Sequence, residues 1–259
     1  MKNLIVLFAS LFLFTFCKGQ GKEVKTFFEN GQIKEHYYVD EKGLPTGEGK
    51  VYFSNGKLSS IGNYKNGKKV GERKWYWNNG NLRGSISFNE QEKMIGEWKE
   101  YHGNGQLAEV GHYENGEKTG HWKVYYENGQ LSAEGEKKNG HDVGEWKLYH
   151  ENGKTRGNWQ FDEEGFQEGE CKEYYDNEQL ESVGSYKRGM KSGEWKYYHE
   201  NGKLEHFELY NEYLRYTGEW KFYNELGNLI KTETYVDGKE SGEWKTYDDN
   251  GNLVKTEKH

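Results

Sequence analysis

Gly96–Leu107 reads GEWKEYHGNGQL, and Gly120–Leu131 reads GHWKVYYENGQL. Gly144–Thr155 continues with GEWKLYHENGKT. One phrase returns at a fixed spacing, with an aromatic at set places and an Asn-Gly or its neighbour near the end. The glycine that opens it stands at 47, 71, 96, 120, 144, 169, 193, 218 and 242, in steps of 24 or 25 residues. One more unit starts at Lys22 without that glycine. Ten units fill residues 22–259 and leave no room for a separate domain. Self-similarity at such a period marks a repeat architecture.

Each unit carries a hairpin signal. Asn-Gly recurs at 30–31, 55–56, 79–80, 104–105, 128–129, 152–153, 201–202 and 250–251. This dipeptide readily takes φ > 0 at both positions, as a two-residue type I′ turn requires. Tyr-, Trp- and Phe-rich runs on either side read as strands. A second, looser turn separates the hairpins at Asn66-Gly67, Asn115-Gly116, Asn139-Gly140, Arg188-Gly189 and Asp237-Gly238. Each unit is therefore strand, tight turn, strand, loop, and the chain should form about twenty strands.

The tight turn sets a register. Folding about Asn104-Gly105 places Gly103 opposite Gln106, His102 opposite Leu107, Trp98 opposite Gly111 and Gly96 opposite Tyr113. The same pairing recurs as Trp122 with Gly135, while Cys171 with Gly184 keeps the glycine and loses the ring. A ring lying over its partner glycine protects bare backbone. Trp98, Trp122, Trp146, Trp195, Trp220 and Trp244 form one row, replaced by Val24, Gly49, Arg73 and Cys171 in the other units. A second row three residues on runs Phe27, Tyr52, Tyr76, Tyr101, Tyr125, Tyr149, Tyr174, Tyr198, Tyr223, Tyr247 and points to the opposite face. The expected fold is all-β: ten tandem hairpins in an elongated twisted antiparallel sheet or open solenoid.

Composition fits a thin array better than a globule. Hydrophobic residues make up 32% and charged residues 31%, a balance that leans toward disorder. Aromatics at 16% oppose that reading, and 35 glycines against one proline speak for tight turns. The net charge is −7, spread through the body, which disfavours nucleic acid and anionic membrane surfaces as partners.

The N-terminus differs. Lys2 precedes an apolar run from Leu4 to Phe16, followed by Cys17. Thirteen residues are short for a bilayer span and suit a signal peptide. Residues 1–19 read as a signal peptide, or as a lipoprotein signal ending at Cys17, which would then carry lipid. Residues 20–259 form a single repeat domain. Removal of 1–19 takes away Lys2 and Lys18 and no acid, leaving −9. The expectation is export to the periplasm, cell surface or medium, with membrane contact only through an anchor at Cys17. Cys171 then has no disulfide partner.

No catalytic pattern stands out. No Walker, G-x-S-x-G or dinucleotide fingerprint occurs, and no C-x-x-C or H-x-x-x-H spacing supports a metal. Neither enzyme activity nor a cofactor is expected. His102, His150 and His199 share one repeat position with Tyr126 and Tyr175 and read as strand residues standing in for tyrosine. The Trp and Tyr rows are the feature that could carry recognition. They either pack within the sheet or anchor a protein partner, or stack on carbohydrate of the cell envelope if solvent-facing.

The phrase GEWKxYYENGQL with its trailing Gly, Tyr and Asn-Gly resembles the bacterial variant of the MORN repeat, as in the YwqK family of antitoxin components. The resemblance covers residues 22–259 and is strongest from Gly96 to Tyr149. The chain departs from it at Cys171, at Asn177-Glu178 in the tight turn, and around Tyr210–Tyr216, where the loop has no glycine. The resemblance implies an all-β hairpin array, a non-enzymatic binding role and a toxin as protein partner.

Overall fold

The computed structural model describes residues 21–259. The leader over 1–19 and Cys17 lie outside the described residues. Every element is a β-strand, and among the described residues there is no helix. The chain forms two compact units, divided between Glu117 and Lys118.

The first unit holds four hairpins: β1 (Lys22–Phe27) with β2 (Ile33–Val39), β3 (Pro45–Tyr52) with β4 (Leu58–Lys65), β5 (Lys68–Tyr76) with β6 (Leu82–Phe88), and β7 (Met94–Tyr101) with β8 (Leu107–Glu114). Each strand pairs antiparallel with its chain neighbour.

The second unit holds six: β9 (Glu117–Tyr125) with β10 (Leu131–Lys138), β11 (His141–Tyr149) with β12 (Thr155–Phe161), β13 (Gly169–Tyr174) with β14 (Leu180–Lys187), β15 (Met190–Tyr198) with β16 (Leu204–Tyr210), β17 (Gly218–Tyr223) with β18 (Leu229–Val236), and β20 (Glu243–Tyr247) with β21 (Leu253–Lys258). The short β19 (Lys239–Glu240) also pairs with β18, which makes 21 strands among the described residues rather than about twenty. Ser241-Gly242 interrupts what would be one strand, with Gly242 at φ 72°.

The expected outer register holds. Trp98 pairs with Gly111, Gly96 with Tyr113 and Trp122 with Gly135. The turn that produces it is a different one. His102 N–H donates to Gln106 O at 2.8 Å, and Gly105 N–H to His102 O at 2.9 Å. Only Gly105 has positive φ, at 90°. This is a three-residue loop, a type I turn closed by a residue in the left-handed region. His102 therefore faces Gln106, not Leu107, which faces Tyr101. A bulge between Glu100 and Tyr101 leaves Ala108 over, and that extra residue restores the outer register. Two departures cancel.

The looser turns are the type I′ ones. Asn66-Gly67 has φ 53° and 82°, and Asn139-Gly140 has 50° and 84°. Lys65 pairs with Lys68 and Lys138 with His141 around these two-residue loops. Other units place a three-residue loop here, as at Asn89–Lys93, where Glu92 takes φ 59°. The 24-residue steps contain the two-residue turn and the 25-residue steps the three-residue loop. Both lead to the same pairing because the loop takes up the extra residue, and the same register shift near the opening glycine follows each. Gly144, at φ 66°, shows what that position requires: a Cβ would meet nothing within 4 Å, so backbone angle and not space selects glycine.

Candidate functional site

The Trp row is core. Trp122 is 0% exposed, and Trp146, Trp195 and Trp220 are buried. Trp98 and Trp244 are half-buried, as are Tyr101, Tyr125, Tyr149 and Tyr198. The ring over Gly135 belongs to Trp146, one hairpin further on, and not to its cross-strand partner Trp122. A Cβ on Gly135 would stand 2.4 Å from Trp146 Cδ2. Gly184, opposite Cys171, is likewise covered by Trp195, at 2.2 Å. Trp146 and Trp195 thus bridge successive hairpins, and the indole N–H of most of the row finds a backbone acceptor, whereas Trp98 Nε1–H donates to Glu109 Oε2 at 3.1 Å. Trp146 donates to Glu136 O at 3.1 Å and Trp195 to Ser185 O at 3.0 Å. The buried rings of Trp122, Trp146, Trp195 and Trp220 are part of the sheet's packing.

The Asn-Gly edge is a ladder. Asn128 Oδ1 accepts from Gln130 N–H at 2.9 Å, and its Nδ2 donates to Glu151 O, one repeat on, at 2.9 Å. Asn79, Asn177 and Asn201 make the same second bond to Gly103 O, Glu200 O and Glu225 O. The neighbouring position adds a parallel rung. Tyr126 OH donates to Tyr149 O at 2.7 Å, and His150 Nε2–H to Tyr174 O at 2.7 Å. His199 does the same toward Tyr223 O at 2.9 Å. His150 and His199 thus stand in for tyrosine as hydrogen-bond donors. No group of three or more His, Cys, Asp or Glu among the described residues is placed to hold a metal ion.

The strongly perturbed groups are tuned away from neutral-pH chemistry. Burial, with the Glu173 carboxylate second, pushes the Cys171 thiol up to about 12, so the nucleophilic thiolate is suppressed. Glu208 stands on β16 in the place glycine holds in other units. Its Oε2 accepts from Tyr210 OH at 2.8 Å and from Lys191 Nζ and Tyr197 OH at 3.2 Å each. Burial alone would raise this carboxyl, but His206, Tyr210 and Lys191 together outweigh it and bring it to about 2. Tyr197 and Tyr210 are raised by burial and by Glu208. Tyr197, His206 and Phe222 stack beside the carboxylate at 4.2 and 5.3 Å between ring centroids. This is a polar box locked shut by its own bonds.

What sequence reasoning missed is an apolar edge in the second unit. Tyr213 is 70% exposed and Met190 53%, and Phe166, Tyr216 and Val236 are exposed beside the same between-hairpin turns. Gly189 N–H donates to Gln167 O and Gly238 N–H to Tyr216 O, which joins neighbouring turns. Turn positions favour polar residues, so apolar ones at four successive turns were a readable signal. The burial of Arg73, which the sequence shows only as a replacement for Trp, is the second point the sequence does not carry. The residue occupies the Trp slot of its unit and is 7% exposed.

No curated protein matches the chain. Among solved structures, TcdB2-TccC3-Cdc42 is similar at 10% identity and a TM-score of 0.21, over 90% of this chain and 13% of that one. TcdB2-TccC3-TEV matches at 14% identity and 0.20, over 94% and 13%. The Photorhabdus luminescens Tc holotoxin pore matches at 12% identity and 0.20, over 88% and 14%. The chain spans 13–14% of the length of these structures, and likeness at that level carries no argument about this protein. The model of the MORN repeat variant matches ten times, at 20–40, 45–66, 69–90, 94–115, 118–139, 142–163, 167–188, 191–210, 216–237 and 240–258. Those matches follow the hairpins one for one, and the chain belongs to the MORN repeat variant family.

Proposed function

We propose that this chain is an exported, non-catalytic repeat scaffold whose partner is another protein. The observation that carries the reading is the apolar turn edge of the second unit. Phe166, Met190, Tyr213, Tyr216 and Val236 expose apolar surface at four successive turns, and exposed apolar surface that recurs along one edge is a common mark of a docking surface. Aromatic residues and methionine are enriched where partners meet. The apolar leader and Cys17 support export, and the resemblance to antitoxin components makes a toxin the partner class to test first.

Affinity capture from the native cell envelope tests this. The expected result is a stoichiometric protein partner that is lost on Met190→Ser/Tyr213→Ser while the melting temperature stays put. Retention of that partner by the double variant refutes the assignment of the surface. Mass spectrometry of the native protein should show loss of residues 1–19 or acylation at Cys17, and an intact Met1 removes export.

A further inference from the structure

Trp75 is an indole outside the Trp row. It stands on β5 two residues beyond Arg73, where other units carry Glu100, Val124 or Leu148. It pairs with Gly84 on β6, and Gly84 pairs with Glu100 on β7. Trp98 precedes Glu100 by two residues and shares its face of the sheet. In β8 and β10 the glycine stands opposite the Trp slot, as Gly111 and Gly135. In β6, Ile86 takes that place and the glycine falls two residues earlier. Backbone closes on it there: a Cβ on Gly84 would stand 2.8 Å from Lys99 O. The cross-strand row from Trp75 to Glu100 therefore has a bare floor.

Two indoles wall this floor. The rings of Trp75 and Trp98 lie 6.2 Å apart between centroids and are inclined at 56°, and both residues are half-buried. With Arg83, Gly84 and Glu100 they line a cavity of about 230 Å³. That is below the roughly 300–1,000 Å³ of a drug-sized ligand site and suits one small ring. Arg83 is the residue left over where the β5–β6 register shifts between Trp75 and Tyr76, and such a bulge re-aims a side chain. Its guanidinium lies 4.6 Å from the centre of the Trp77 ring, and its Nε–H donates to Glu100 Oε1 at a long 3.5 Å. The Arg83 side chain is 52% exposed and that of Glu100 31%, so a ligand can reach both heads. Glu109, next across from Glu100, accepts from Trp98 Nε1–H and does not line the cavity.

We propose that this corner binds one neutral pyranose ring of a saccharide. The C–H face of the sugar packs on one indole and its edge meets the other, which gives the ring an apolar wall on two sides. Neighbouring hydroxyls then bridge the polar pair, one accepting from the Arg83 guanidinium and one donating to the Glu100 carboxylate. A few convergent polar groups on an apolar wall are what fix a small ligand's orientation. The charges of the lining decide the ligand class. A quaternary ammonium would suit the aromatic rings but meets Arg83, and a carboxylate meets Glu100. A hydroxylated ring uses both the donors and the acceptor without bringing a charge. The site lies in the first unit and does not depend on the apolar edge of the second.

Calorimetry and saturation-transfer NMR on the full chain test the site. The probes are the methyl pyranosides of glucose, galactose and mannose and N-acetylglucosamine, with choline and benzoate as charged controls. Saturable binding of at least one sugar is expected, with transfer strongest to its ring C–H protons. Arg83→Met and Glu100→Met should each weaken that binding roughly 10- to 100-fold, the range for losing a charged hydrogen-bond partner. Both side chains reach the surface, so these variants should keep the wild-type far-UV spectrum. Trp75→Leu should weaken binding and remove the transfer to the ring protons; if that variant unfolds, the two surface variants decide. The assignment is overturned if no sugar binds, if choline or benzoate binds as tightly as the best sugar, or if folded Arg83→Met and Glu100→Met bind like the wild type.

Discussion

Glycine does two jobs in this chain, and the residues around it separate them. Gly144 needs its positive φ and has open space where a side chain would stand; Gly135 has a Trp146 ring in that space. Gly144→Ala should therefore cost about 1–2 kcal/mol from left-handed backbone, and Gly144→Asn less, because asparagine visits that region. Gly135→Ala should cost about 1–3 kcal/mol or more, as an overpacked site does, and Gly135→Asn no less than Gly135→Ala. Denaturant melts followed by Trp emission distinguish the two, since only the Gly135 variants should shift the emission of the folded state. Equal rescue by asparagine at both positions would sink the distinction. The sequence showed both glycines as periodic, but not which ring covers Gly135. Covering is set by the neighbouring hairpin, which a reading of one hairpin at a time leaves out.

At the level of the turn, the same dipeptide serves two backbones. Asn-Gly fits a type I′ turn as its two central residues, and it equally fits the end of a three-residue loop with only Gly in the left-handed region. Asn128 is of the second kind and holds two hydrogen bonds; Asn139 is of the first, with φ 50°. Asn128→Gly should destabilise by about 1–2 kcal/mol for two lost bonds. Asn139→Gly should lie within about 0.5 kcal/mol of wild type, since glycine reaches positive φ freely. Paired urea titrations measure this, and the reverse order would return the type I′ assignment to the Asn128 turn. Strand placement and the Trp98–Gly111 register were legible despite the wrong turn, because the bulge beside Tyr101 compensates the longer loop. The exposure of Tyr213 and Met190 is not carried by the strand pattern, because Tyr213 lies in a turn and Met190 is the first residue of β15 beside one.

Across the molecule, stability should depend on pH from both sides. Glu208 has its folded-state carboxyl at about 2, below its ordinary 4.5. Its contribution is present above the ordinary carboxylate range and is lost as pH falls toward about 2; the shift corresponds to roughly 3 kcal/mol. Cys171 is raised to about 12 from 9.0, and burial raises Tyr197, Tyr210 and Tyr235. Their contribution is present below the ordinary thiol and phenol values and fades as pH climbs above them. Unfolding free energy measured against pH should be level near neutrality and fall on both sides, and Glu208→Gln should flatten the acid limb. An acid limb unchanged in that variant would show that other carboxylates govern it. The alternation of 24- and 25-residue steps has a consequence of a different kind. Tandem sequences grow by duplication, and slippage by one residue is a common accident of copying. Here such a slip falls into a turn that has two acceptable lengths, and the turn itself absorbs the extra residue, so the pairing beyond it is the same either way. The ancestry of such a chain can therefore vary in spacing without losing its frame, and lineages should be compared by the position of that glycine within each unit instead of by residue count.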